Sequence, residues 1–224
     1  MDRNEYFLDI FQEIEAFFRP DNSEPHQSFP YLIGKSKNAF VRRHRDEFTK
    51  LNNLRNTLAH GIENRYMEVN DDGIELVEYL RDGLYKPRRA EQLMKREVIT
   101  VEEHDPLSKV LRLVHEEGHT QFPVMENGKV LWLMTDTGIV HWLASNIRED
   151  IISISETKVS DILEKEEHEN KIFKFVPIDA SEDELVLMFQ NDIHLRTVLV
   201  TKFGSGLEPL QGLITRWDMI DSAK

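Results

Sequence analysis

A chain of 224 residues with 40% hydrophobic content can build one large core or two modest ones. Its 41 acids against 28 bases give a net charge of −13, which argues against nucleic-acid binding by the molecule as a whole while leaving local basic patches open. The absence of cysteine excludes disulfides, thiol nucleophiles and zinc–thiolate sites. The charged start Met1-Asp2-Arg3-Asn4-Glu5 leads into an amphipathic stretch rather than a signal peptide or membrane span, so a cytoplasmic location is the expectation.

In chain order, Phe7, Leu8, Ile10, Phe11, Ile14, Phe17 and Phe18 recur at three- and four-residue intervals and predict a helix that Arg19-Pro20 ends. A loop rich in Pro, Ser and Asp follows, to Pro30. A second long helix is expected from about Asn38 to His60, with Val41, Phe48, Leu51, Leu54 and Leu58 on its apolar side and Gly61 as its stop. Between Gly34 and Arg55 stand seven bases against two acids, a basic island in an acidic chain. Tyr66 to Val69 and Ile74 to Tyr79 flank Asp71-Asp72-Gly73, which reads as a hairpin turn. Residues Arg81 to Arg89 then form a link.

The second helix carries Arg55-Asn56-Thr57-Leu58-Ala59-His60. A histidine tuned near neutrality can move a proton, an arginine can neutralise a phosphorane, and an asparagine can orient either. On a regular helix Asn56 and His60 share a face, while Arg55 lies about 100° round, so one helix cannot converge all three. The same histidine before a glycine stop also suits the helix dipole, so a purely structural use stands beside the chemical one. The segment resembles the Arg-Asn-x-x-x-His motif of HEPN domains, helical domains that often dimerise. The resemblance implies a homodimer and, in ribonuclease members, metal-independent RNA cleavage by Arg55, Asn56 and His60.

The rest of the chain repeats itself. Val98 to Glu102, a helix from Asp105-Pro106 to Gly118, a strand Gln121 to Met125, a turn at Asn127-Gly128 and a strand ending Trp132-Leu133-Met134-Thr135 make the first copy. Phe173 to Ile178, a helix opened by the capping box Ser181-Glu182-Asp183-Glu184, a strand Arg196 to Val200, a turn at Gly204-Ser205-Gly206 and a strand Gly212 to Thr215 make the second. Each is β-α-β-β-α, with lead-in segments Glu91 to Met94 and Val159 to Leu163. Thr215-Arg216-Trp217-Asp218 can cap a helix. It can equally offer a hydroxyl to phosphate and a carboxylate to both hydroxyls of a ribose.

This order resembles a tandem pair of CBS domains, the Bateman module. The expected fold is α+β: a helical HEPN-like domain over residues 1–80, linker and first CBS motif over 81–150, second CBS motif over 151–224. The resemblance implies a regulatory protein whose ligand is an adenine nucleotide such as AMP, ADP, ATP or a cyclic dinucleotide. It assigns Asp218 and Thr215 to ribose and phosphate, Arg196 to the basic position before the second strand, and backbone from Val176 to Ile178 to the edge of the base. In the first copy Trp132 replaces the close-approach glycine, Gly138 the ribose-binding acid and Gln121 the basic position, so one working site is expected, on the second copy. Neither metal nor membrane is called for. Trp142 and Trp217 read as core or interface, and His115 and His119, which straddle Gly118, as surface. The alternative is a nucleotide-gated endoribonuclease whose basic island guides RNA.

Overall fold

The computed structural model describes residues 2–19, 27–60, 67–146, 153–166 and 172–221, an α+β chain that divides into two units. The first comprises Met1–Arg88 with Ser181–Leu187, the second Arg89–Ala180 with Met188–Lys224. Among the described residues no helix is long and apolar enough to cross a membrane.

In the first unit, α1 (Arg3–Phe18) starts where the Asp2 carboxylate accepts the Asn4 N–H at 3.2 Å. It buries Phe7, Ile10, Phe11 and Ile14, one face at helical spacing. α2 (Phe29–Lys35), α3 (Ala39–Arg43), α4 (Arg45–His60) and α5 (Asp71–Tyr85) close the core with Phe29, Ile33, Phe40, Phe48, Leu51, Val77 and Leu80. Three expectations are corrected here. The segment to Pro30 is not all loop, because Pro30 sits in the first turn of α2, where its missing N–H costs no helical bond. The helix expected over 38–60 is two helices that meet at His44, which caps α3 with φ −106° and ψ 30°. No hairpin surrounds Asp71-Asp72-Gly73. Asn70 accepts the Gly73 N–H at 3.0 Å and caps α5, and Asp71 and Asp72 face its dipole from the first turn. Gly73, Val77, Leu80 and Leu84 are then buried at intervals of three and four that a strand could not satisfy.

The second unit holds two three-stranded sheets of identical topology. After α6 (Ala90–Leu93), β1 (Val101–Glu102) pairs in parallel with β2 (Gln121–Glu126) across α7 (Leu107–Glu117), and β2 pairs antiparallel with β3 (Lys129–Thr135), which leads into α8 (Asp136–Asn146). After α9 (Val159–Glu166), β4 (Phe173–Pro177), α10 (Glu182–Asn191), β5 (Thr197–Thr201), β6 (Gly212–Thr215) and α11 (Arg216–Asp221) repeat the pattern. The expected β-α-β-β-α order holds in both copies. Positive φ at Asn127 (50°) and Gly128 (77°) gives the β2–β3 hairpin its tight turn. The capping box also forms: Ser181 N–H donates to Glu184 at 2.7 Å, and Glu184 N–H to Ser181 Oγ at 3.3 Å.

Each lead-in serves the other copy, which local sequence did not reveal. The Glu91 N–H donates to the Ile178 carbonyl at 3.0 Å, and Lys95 and Leu213 exchange backbone bonds of 2.9 and 3.1 Å. In return Val159 N–H donates to Asp105 O and Ser160 N–H to Glu103 O, each at 2.9 Å. Gly212 is the price of this exchange: a Cβ there would lie 2.7 Å from Met94 Sδ and 2.8 Å from the Lys95 carbonyl. The close approach read from the sequence at this glycine is therefore made by the first lead-in.

Candidate functional site

A cleft of about 230 Å³ opens in the second unit where the Lys95–Leu213 pairing brings the irregular segment before β1 beside β6. Lys95, Glu97, Val98, Ile99, His119, Gln121, Thr215 and Trp217 are among its lining residues. Both copies thus contribute: 97–99 and 118–121 from the first, Leu213, Thr215 and Trp217 from the second. The volume is just under the roughly 300–1,000 Å³ usual for small-molecule sites, enough for part of a nucleotide with the remainder in solvent. Of the two places read from sequence for Trp217, core and interface, the first does not hold: the side chain is 73% exposed on the first turn of α11. Trp142 is buried in the first copy's core with Phe122, Met134 and Ile162.

Thr215 lines the cleft; Asp218 does not, but it stands behind the lining, bonded to Thr215 and paired with Lys95. Asp218 Oδ2 accepts the Thr215 N–H at 2.7 Å and its Oγ1–H at 2.6 Å, and the Asp218 N–H donates weakly back to Oγ1 at 3.4 Å. The other carboxylate oxygen faces Lys95 Nζ at 3.0 Å. Burial pushes the Asp218 carboxyl upward, but the Thr215 bonds and the Lys95 ammonium outweigh it and hold the group below its ordinary range. The carboxylate is therefore ionised at neutral pH, with a flexible lysine across its outward-facing oxygen. That is chemistry suited to a polyhydroxyl ligand, because a carboxylate can accept two O–H donors once the ammonium has moved.

The other assigned positions lie elsewhere. Arg196 Nη1 is 3.8 Å from Asp136 Oδ1 of the first copy, while the Arg196 carbonyl accepts the Arg216 N–H at 3.3 Å. Val176 is buried in β4 opposite Val200, and the Ile178 carbonyl is taken by Glu91. None of Arg196, Val176 and Ile178 lines the cleft; the first copy's Gln121 does, and it accepts a hydrogen bond from the Thr197 hydroxyl. In the first copy Thr135 Oγ1 accepts the Gly138 N–H at 3.0 Å, and with glycine at 138 there is no carboxylate to complete the group. Trp132 turns into that copy's core with Phe122 and Val159. Lys95, Glu97 and His119 were not singled out as site residues from the sequence, since their place depends on the long-range Lys95–Leu213 pairing.

In the first unit Arg55 Nη1 donates to Asn56 Oδ1 at 3.1 Å, with the guanidinium over the Phe11 ring and 3.9 Å from Glu15. The side chain of His60 lies outside the described part of the chain, as does Gly61. Part of the basic island is engaged: Arg43 is neutralised by Asp183 at 2.9 Å, and Arg45, keeping its charge, donates to the Gly34 carbonyl. Among the described residues no group of three or more histidines and acids is placed to hold a metal ion.

Residues 90–145 match the family model of the CBS domain. A 52-residue stretch, 23% of this chain, is 35% identical to an uncharacterized protein of Methanocaldococcus jannaschii and spans only 20% of that relative's length. Among solved structures the chain is similar to a putative signal-transduction protein with CBS domains from Burkholderia ambifaria MC40-6, at 20% identity and TM-score 0.48 over 61% of this chain and 93% of that one. It is also similar to a putative acetoin utilization protein from Vibrio cholerae, at 18% identity and TM-score 0.48 over 61% and 90%. A third likeness is to CBSX2 in complex with AMP, at 14% identity and TM-score 0.46 over 60% and 95%.

Proposed function

We propose that this chain, with a CBS domain at residues 90–145, is a regulatory protein that senses an adenine nucleotide in the cleft at Thr215 and signals its occupancy to the N-terminal helices. The observation that carries the reading is the ionised, half-buried Asp218 carboxylate behind Thr215, with one oxygen turned to a displaceable lysine at a cleft that a tryptophan lines. Asp218 would accept the ribose hydroxyls. The exposed Trp217 indole offers an apolar face to a base. AMP, ADP, ATP and cyclic dinucleotides are the candidate ligands, and a homodimer the candidate assembly. Occupancy matters only if the ligand has different affinity for two arrangements of the protein.

The test is a thermal-shift panel of these nucleotides on the wild type and Asp218→Ala. At a hundredfold excess over its dissociation constant, a ligand adds about 2.7 kcal/mol. For this size that is a rise in melting temperature of roughly 5 to 10 °C. A rise with one nucleotide that Asp218→Ala abolishes supports the reading; no rise with any of them sinks it. A second reading, a metal-independent endoribonuclease using Arg55, Asn56 and His60, is favoured by the Arg55–Asn56 bond on α4. It requires RNA cleavage that His60→Ala removes.

A further inference from the structure

The backbone of Lys95 is fixed and its head is not. Paired backbone bonds to Leu213 pin its N–H and its carbonyl, and the missing Cβ of Gly212 lets the segment lie flat against β6. The side chain is mostly exposed, on a four-carbon stem that can carry the ammonium several ångströms without disturbing the backbone. Its present partner is the Asp218 oxygen that does not face Thr215. Other cations nearby are engaged elsewhere: Arg96 with Glu91 at 3.3 Å, Arg216 with the carbonyls of Asp192 and Leu195 at 2.9 and 3.1 Å. Among the described lining residues of the cleft, Lys95 is the one lysine or arginine, and Glu97 adds a negative charge.

Thr215 fills Oδ2 of Asp218, so ribose hydroxyls have only Oδ1 to donate to, and for that the ammonium has to leave. A neutral nucleoside then leaves the exposed ammonium to water and gives up an ion pair for the hydrogen bonds it gains. A nucleoside carrying a phosphate gives the ammonium a new anion within reach of the same stem. We infer that Lys95 is an exchangeable counterion that passes from Asp218 to the ligand's phosphate, so that the cleft selects phosphorylated nucleosides over neutral ones. This inference rests on the reading of the cleft as an adenine-nucleotide site and adds to it the residue that sets the preference for a phosphorylated ligand.

The experiment is calorimetric titration of the full chain with AMP and with adenosine, for the wild type, Lys95→Met and Lys95→Arg. Methionine keeps the apolar stem and removes the charge; arginine keeps the charge. The wild type is expected to bind AMP at least tenfold more tightly than adenosine. Lys95→Met is expected to lose that preference by weakening AMP while adenosine is unchanged or improved, and Lys95→Arg to retain it. Equal loss, or equal gain, of both ligands in Lys95→Met overturns the exchange and leaves Lys95 as a wall or a plain plug. A wild type that binds neither ligand defeats the nucleoside reading itself, and the exchange with it.

Discussion

Asp218 and His44 illustrate how a single ionisable side chain makes stability depend on pH, in opposite directions. Asp218 is held below its ordinary range, so the folded chain resists protonation of this group more than the unfolded chain does. Its contribution is complete above the ordinary carboxylate value and is lost as pH falls through the lowered one. We expect Asp218→Asn to be less stable than the wild type at pH 7 and to close the gap below about pH 4, measured as urea midpoints across that range. A wild-type advantage that persists at pH 2 contradicts this. His44 is lowered chiefly by burial and then by the Arg43 charge, against the pull of Asp183 and Glu47. Here the unfolded chain takes the proton first, so stability falls as pH drops through about 6.5, the ordinary histidine value. His44→Gln is expected to lessen the decline in melting temperature between pH 7.5 and 5.5; an unchanged decline would show that His44 is not its source. Thr215 and Asp218 were legible in the sequence as a bonded pair because they lie three residues apart. Lys95, which decides what Asp218 can do, was not, because it arrives through pairing with a distant strand.

Helices in the first unit separate local signals from tertiary ones. The Asp-Gly pair at 72–73 carries hairpin chemistry, yet the apolar spacing from Gly73 to Leu84 buries one helical face and prevails. The break at His44 left no mark in the sequence, since Arg43-His44-Arg45 is compatible with continued helix. Turn and cap chemistry, by contrast, located both β-α-β-β-α copies, as Asn127-Gly128 and the Ser181–Glu184 box act over two to four residues. Which copy each lead-in joins is a long-range matter that spacing does not encode. Two helical glycines test the distinction. Gly34 has open space where a Cβ would stand, so Gly34→Ala should stabilise by about 0.5 to 1 kcal/mol. At Gly83 a Cβ would meet the Phe40 ring at 2.0 to 2.6 Å, so overpacking should exceed the propensity gain and cost about 1 to 3 kcal/mol. Chemical denaturation of both variants checks the opposite signs.

Across the whole molecule the net charge of −13 sets a self-repulsion that individual ion pairs do not cancel. Exposed pairs such as Lys174–Asp192 contribute little each, about 0 to 1 kcal/mol. Screening should therefore relieve more repulsion than it removes attraction. The melting temperature is expected to rise between low salt and about 0.3 M sodium chloride, and a fall would mean that the pairs dominate.

Membership of Ser181–Leu187 in the first unit has a consequence for synthesis. The Arg43–Asp183 pair joins positions far apart along the chain, and Asp183 is buried. A ribosome that has released only the first 88 residues has released the whole buried apolar cluster of that unit but not Asp183, the buried partner of Arg43. Nascent chains arrested before Asp183 emerges should protect the N-terminal helices less fully than longer ones, read as a rise in protease resistance once the segment to Leu187 is out.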